Sequence, residues 1–276
     1  MRIFEFKNDD IYSLHAREEV FFREFKESVA SFSRLERPSI SISNSQSYSD
    51  VDERAKERGI DIARRKTGGR FMYFGDGSLI FSFSTSNQNP PLRAYRDICK
   101  IIINSLKEIM GENFLIEHSN DIVHSSGRKI GGAAQINSGS RYLIHAYLRY
   151  DINTRELFRY CKINDISLEN YVKTLEKHVI SIRDLKEDFK FSKFYKNFRK
   201  VFVRRLEEYT NEEAFFEELS GEEVRRVELK RKEYIEPLYI KGSSSFESRG
   251  HCDAIAGNGK NSILKISELV GKVRYI

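Results

Sequence analysis

The chain has 276 residues, 39% of them hydrophobic and 32% charged, with a formal net charge of +6 and an isoelectric point near 9.0. That is enough for one large domain, or a domain with a small appendage, and the hydrophobic fraction is enough to bury a core. The basic balance favours anionic partners, but no basic run stands apart from the acidic residues, so nucleic acid ranks last among them. No apolar run reaches the ~20 residues of a membrane span, and MRIFEFKNDD lacks a signal-peptide core, so a cytoplasmic protein is expected.

Residues 11–32 carry apolar positions at helical spacing and predict an amphipathic helix. SISIS after Pro38 alternates as a strand, Asp50–Gly59 reads as a short helix ending at glycine, and IDIAR as another strand. FMYF and SLIFSFS flank Gly-Asp-Gly and read as a hairpin. Leu92–Gly111 is the clearest helix, with Ile98, Ile101, Ile102 and Leu106 on one face and Gly111 placed to end it. NFLIEH, DIVHS, RKIGGAAQI and YLIHAYLRY follow as short strands. Helices return at SLENYVKTLEKH, SKFYKNFRKVFVRRLEEY and NEEAFFEELSGEEVRRVELKRKEY. From Lys241 the chain is Gly-, Ser- and Asn-rich until ILKISELVGKVRYI, which has the pattern of two strands. Strands and helices without strict alternation predict an α+β fold.

Three stretches could carry chemistry. In RRKTGG, Gly68 and Gly69 allow close approach to the main chain, and Arg64 and Arg65 could add charge-assisted bonds to a carboxylate or phosphate; the alternative is a loop with its arginines in solvent. In SSGRKIGGAAQ, Lys129 precedes Gly131, Gly132, Ala133 and Ala134, a smooth wall with a point charge at its head, or a hairpin with a solvated lysine. His145, on the face of Leu143 and Tyr147 if its strand alternates, reads as a half-buried structural histidine. The six histidines are too scattered for a zinc pattern, and Cys99, Cys161 and Cys252 form no CxxC.

Taken in order, the blocks resemble the lipoate–protein ligase A family, within the wider biotin/lipoyl ligase fold of mixed sheets with flanking helices. The likeness runs over Arg64-Arg65-Lys66-Thr67-Gly68-Gly69, Gly77, Asn120-Asp121-Ile122, Gly127 to Gln135, and His145 sixteen residues after Lys129; Gln46 and Glu18-Glu19 also match. It covers roughly residues 10–240. The expected organisation is a catalytic domain over 1–239 and a short extension over 240–276.

The resemblance implies that lipoate is activated by ATP to lipoyl-AMP and passed to a lysine of a carrier domain, of a 2-oxoacid dehydrogenase or glycine cleavage system. It implies Lys129 as the catalytic cation where carboxylate and α-phosphate meet. Arg64, Arg65, Gly68, Gly69, Arg70, Gly77, Asn120, Asp121, Gly132, Ala133 and His145 would line the substrate and nucleotide site. Mg2+ would bridge phosphates, with Asp121 holding the metal or the adenine. It also implies a small accessory domain for activation, fused at the C-terminus or carried on a separate chain, and a separate accessory polypeptide is expected here. The chain departs from the family at Arg70 (a third glycine elsewhere), Phe74-Gly75 (His-Asp), Ser78 (Asn) and Ala146 (Gly). Two alternatives stay open. One is an octanoyltransferase working through a cysteine thioester; Asn113-Phe114-Leu115 holds no thiol at one subclass's position, and Cys161 lies near the other's. The other is a divergent homologue that binds acyl-adenylate or carrier without turnover.

Overall fold

Nine-residue YLIHAYLRY and its neighbours build the middle of the molecule, because their side chains alternate between two layers. The computed structural model describes residues 1–48, 51, 54–69, 72–75, 77–86, 89–117, 120–151, 153 and 168–241. Eight strands form the main sheet: β1 (Arg2–Asp9), β2 (Val29–Leu35), β6 (Ser78–Ser86), β7 (Phe114–Glu117), β8 (Asp121–His124), β9 (Lys129–Ser138), β10 (Arg141–Arg149) and β11 (Phe215–Phe216). Their spatial order is β11-β1-β2-β6-β10-β9-β8-β7. β1 runs parallel to β2 and β11, and every other pairing is antiparallel. A second sheet holds β3 (Ser39–Ile42) between β4 (Asp61–Arg64) and β5 (Met72–Phe74). The expected α+β class is what the chain adopts.

One face of the large sheet packs on α3 (Pro91–Met110) and α6 (Phe191–Thr210). Ile144, Ala146 and Leu148 of β10 enter that core with Phe81, Ile102, Phe198 and Phe202. The other face meets α1 (Ile11–Glu24), α7 (Gly221–Ile235) and the small sheet; Tyr147 there packs with Ile11, Phe74 and Ile80. The remaining helices are short: α2 (Arg54–Glu57), α4 (Leu168–His178), α5 (Ile182–Leu185) and α8 (Pro237–Lys241). Among the described residues no helix is long and apolar enough to cross a membrane.

Local chemistry sets the element ends. Gly111 closes α3 in the left-handed region at φ 71°, its N–H donating to Lys107 O, as the sequence predicts. Three expectations need correction. The helix expected over 11–32 stops at Glu24, and Val29–Leu35 is a strand between β1 and β6, since Val29 and Phe32 are buried on opposite faces. The expected hairpin around Gly-Asp-Gly does not form. β5 pairs with β3 while β6 pairs with β2 and β10, so this junction carries the chain from the small sheet to the large one. Gly77 is needed there because a Cβ would lie 2.7 Å from Asp151 N. The helix expected over NEEAFFEEL begins only at Gly221, where Ser220 and Glu223 form a reciprocal cap; Phe215–Phe216 is an edge strand beside β1. ILKISELVGKVRYI, Arg70 and Cys161 lie outside the described residues.

Candidate active site

The face of β10 opposite the α3–α6 core presents Leu143, His145, Tyr147 and Arg149 in a row. Across the ladder His145 stands between Ala134 and Ser82, and Tyr147 between Gly132 and Ile80. Asp121 of β8 stands beyond Gly132. Large side chains on β10 therefore stand beside Gly132 and Ala134 on β9, and the low strip along β9 is a shallow trough in the sheet face, covered from Leu143 to Tyr147 by α1 and the small sheet. At ~3.3–3.4 Å per residue it runs about 20 Å from Leu143 to Arg149.

One end of the trough is a buried polar network anchored on α1. Glu18 Oε2 accepts from His15 Nδ1 (3.1 Å) and His145 Nδ1 (3.2 Å). His145 Nε2 meets Thr67 Oγ1 at 2.9 Å, and His15 Nε2 meets Ser41 Oγ at 2.9 Å. Arg65 can only donate, and its Nε gives a hydrogen bond to Thr67 Oγ1 (3.0 Å). The Thr67 proton is thus free to point at His145 Nε2, and both histidines carry their proton on Nδ1 towards Glu18. The network holds one carboxylate, Glu18, and one guanidinium, Arg65. Burial alone would push the Glu18 carboxyl up, but His145 and then His15 outweigh it and hold the group well below the usual carboxylate range. Burial pushes His15 down. Burial also lowers Arg65 to about 10, with Glu18 opposing, which leaves it a cation at neutral pH.

The two arginines of RRKTGG face inward rather than into solvent or the trough. Arg64 donates to the carbonyls of Ile240 (2.9 Å), Ser43 (2.8 Å) and Gln46 (2.7 Å). Arg65 donates to Ser41 O (2.9 Å) and Gly68 O (2.8 Å). The latter bond orients the loop. A trans peptide sets its N–H opposite its carbonyl, so holding Gly68 O against Arg65 turns the Gly69 N–H away from it. Gly69 takes φ 96°, open to glycine. Among the described residues the Gly68 and Gly69 N–H groups have no acceptor.

The far end of the trough holds Lys129 and Asp121, whose Nζ and Oδ1 lie 2.5 Å apart across the β8–β9 hairpin. The Lys129 backbone is fixed from behind, since its carbonyl accepts from Ile180 N at 2.9 Å. The Ala133 N–H donates to Asn120 O (2.9 Å), and Ala133 O accepts from Tyr95 Oη (3.0 Å). Lys129 is thus a half-exposed cation on an immobile strand. Of the sequence-predicted residues, Lys129, Asn120, Asp121, Gly132 and His145 share the trough wall, with Gly68 and Gly69 on the loop that borders it at Thr67. Ala133 points to the opposite core, and Gly77 sits at the junction between the two sheets. His15, Ser41, Thr67, Tyr95, Tyr147 and Arg149 were not foreseen as site residues, and Glu18 only as a matching position. Alternation along YLIHAYLRY is the one signal that could have found Arg149.

Residues 10–203 match the family model of the lipoyl protein ligase A/B catalytic domain. The chain belongs to this family. It is 27% identical over 157 residues to lipoate-protein ligase LplJ of Bacillus subtilis, covering 56% of this chain and 47% of that protein. It is 26% identical over 197 residues to lipoate–protein ligase 1 of Staphylococcus aureus, covering 70% of this chain and 58% of that one. The chain therefore spans about half the length of these curated relatives. Its fold matches a bi-partite lipoate protein ligase of Thermoplasma acidophilum, described with its E2 lipoyl domain, at a TM-score of 0.77 and 24% identity, over 87% of this chain and 96% of that one. It also matches a lipoate-protein ligase A bound with ATP, at a TM-score of 0.72 and 23% identity, over 87% and 98%. These likenesses show the biotin/lipoyl ligase-like fold.

Proposed function

We propose that the chain is a lipoate–protein ligase that activates lipoate with ATP to lipoyl-AMP and transfers the lipoyl group to a lysine of a carrier domain. The observation that carries this reading is the strip of small residues on β9 with a buried polar network at one end, a loop whose N–H groups have no acceptor among the described residues beside it, and one half-exposed lysine at its head. A fatty acid lying along the trough brings its carboxylate towards Lys129. There the lysine neutralises the charge shared by carboxylate and α-phosphate, which is worth most on a fixed strand. The Gly68 and Gly69 N–H groups bind phosphate or carboxylate oxygens. Arg65 acts through this loop by holding the Gly68 carbonyl, and Arg64 holds the neighbouring carbonyls of Ser43 and Gln46.

Mg2+ fits with a limited protein share. Among the described residues no group of three His, Cys, Asp or Glu side chains could hold a metal, so Asp121 would be one carboxylate beside phosphates and water, a mode Mg2+ favours. Bound there, it would neutralise phosphate charge. Moving Lys129 onto the substrate would free Asp121 for this role.

The carrier is proposed to be a lipoyl domain of a 2-oxoacid dehydrogenase or glycine cleavage system, working in the cytoplasm; the Thermoplasma relative, described with an E2 lipoyl domain, supports that class. Its bi-partite description also supports a separate accessory polypeptide for the activation step. A thioester route gains nothing from Cys99, which is buried with its thiol pushed up to about 12 by burial. The test is lipoate-dependent exchange of pyrophosphate into ATP, with and without an accessory polypeptide, beside lipoylation of a carrier domain from preformed lipoyl-AMP. Exchange together with transfer is expected. Transfer from an acyl carrier without exchange, through an acyl adduct on Cys161, would overturn the reading.

A further inference from the structure

Arg149 ends the trough one step beyond Tyr147, opposite Ser78 of β6. Its Nη2 donates to Tyr147 Oη at 3.0 Å, and its guanidinium carbon lies 5.1 Å from the Tyr147 ring centroid. Its Nη1 is shut off from solvent and donates to nothing. Among the described residues no carboxylate or carbonyl accepts from this side chain. The other arginines of this region, Arg64 and Arg65, have carbonyls for their donors. A shielded guanidinium N–H without an acceptor is costly, and a fold keeps one where a bound group supplies the acceptor.

Tyr147 ties this arginine to the lysine end of the trough. Its ring lies over Gly132, with Cε1 3.1 Å from where a Cβ would stand, and Lys129 Cε lies 3.7 Å from that same point. The ring and the stem of Lys129 thus both flank Gly132, while the ring's hydroxyl holds Arg149. Asp121 already pairs with Lys129, Glu117 stands across β7–β8 from Asp121, and Asp151 pairs with Arg183, so among the described residues none of these carboxylates is bonded to Arg149. The unfilled Arg149 donor calls for an anionic oxygen, and a planar guanidinium suits phosphate.

We propose that Arg149 binds the β- and γ-phosphates of ATP at this site. The assignment rests on the adenylate-forming reading above. In that reaction a carboxylate oxygen bonds to the α-phosphorus, the bond from that phosphorus to the bridging oxygen of the β-phosphate breaks, and pyrophosphate departs with the electron pair; no proton need move. Lys129 serves the bond that forms. Arg149, farther from the acyl end along β10, serves the group that leaves, and Tyr147 positions it.

The experiment measures ATP and AMP binding to the full chain, wild type, Arg149→Gln and Arg149→Lys, with thermal unfolding of each. The expected result is a loss of ATP affinity of about 10- to 100-fold in Arg149→Gln, from loss of charged hydrogen bonds. AMP affinity and melting temperature stay unchanged, and Arg149→Lys recovers part of the loss. Transfer from preformed lipoyl-AMP should proceed at the wild-type rate. Unchanged ATP affinity in Arg149→Gln overturns the assignment alone. Equal losses for ATP and AMP, with a lower melting temperature, make Arg149 a structural residue and overturn it too. A wild-type chain that does not bind ATP overturns the ligase reading and this assignment with it.

Discussion

Gly131 and Gly132 are neighbours in one motif, yet they should fail in opposite ways when each is changed to alanine. Gly131 pairs with Leu148, on the core side of β9. A Cβ there would stand 2.2 Å from Tyr147 O and 3.0 Å from Leu148 Cδ2. Carbon and carbonyl oxygen ordinarily approach no closer than about 3.3 Å, so β9 and β10 must part by roughly 1 Å. That stretches ladder hydrogen bonds worth ~1 kcal/mol each and adds an overpacking cost of ~1–3 kcal/mol, about 2–4 kcal/mol together. For a chain of this size the melting temperature should fall by roughly 5–10 °C. Gly132 faces the trough. Its Cβ would meet Tyr147 Cε1 at 3.1 Å, Asn120 O at 3.4 Å and Lys129 Cε at 3.7 Å, and the nearest of these is the end of a side chain that can yield. Gly132→Ala should cost under ~1 kcal/mol in stability. It should slow lipoate-dependent pyrophosphate exchange by about 10-fold, because it displaces Tyr147 and the stem of Lys129 by part of an ångström. Thermal unfolding and exchange, measured on both variants, should therefore rank them in opposite order. A Gly131→Ala protein that melts with the wild type, or two variants with the same ranking in both assays, would refute the assignment of the two faces.

Lys129→Met should retain the fold and lower exchange by about two to three orders of magnitude, as for loss of one electrostatic stabiliser; near wild-type exchange would remove the lysine from the chemistry. Acid should destabilise the protein in two stages. His15 and Glu18 are both held below their ordinary values of 6.5 and 4.5, so the unfolded chain takes up protons first as pH falls. Stability is then full above about pH 6.5 and declines below it, then again below about pH 4.5. Urea unfolding at pH 8 and pH 5.5 should show a smaller acid loss in His15→Leu than in the wild type, and equal losses would take His15 out of the linkage. Arg65→Lys should lose most exchange with a lowered melting temperature, since one ammonium cannot reach Ser41 O, Thr67 Oγ1 and Gly68 O together; an unaffected variant would show the loop is held by other means.

What was legible in the sequence is what local rules govern. Gly111, the β8–β9 hairpin that sets Asp121 against Lys129, and the shared face of Leu143, His145 and Tyr147 all follow from turn chemistry or strand alternation. What was not legible depends on partners distant in the chain. Arg64 finds its acceptors 18, 21 and 176 residues away, so its inward direction has no local signature. Glu18 is joined to His145 across 127 residues. Gly-Asp-Gly between two alternating runs meets every local rule for a hairpin. It fails because Phe74 is used by the small sheet and Ile80 by the large one, a choice made by packing rather than by the turn.

The division of charge along the trough explains how one strand face can serve an apolar acid and a polyanion. At the Leu143 end, Glu18 and Arg65 set opposite charges against each other beneath the surface, and Lys66 pairs with Glu19 beside them. At the other end Lys129 has a single acidic partner in Asp121, and Arg149 has none among the described residues. A ligand with its tail at Leu143 and its phosphates at Arg149 satisfies both ends, and the reversed ligand satisfies neither. The same four alternate residues of β10 thus set both the direction in which a substrate lies and the point at which its carboxylate meets the cation.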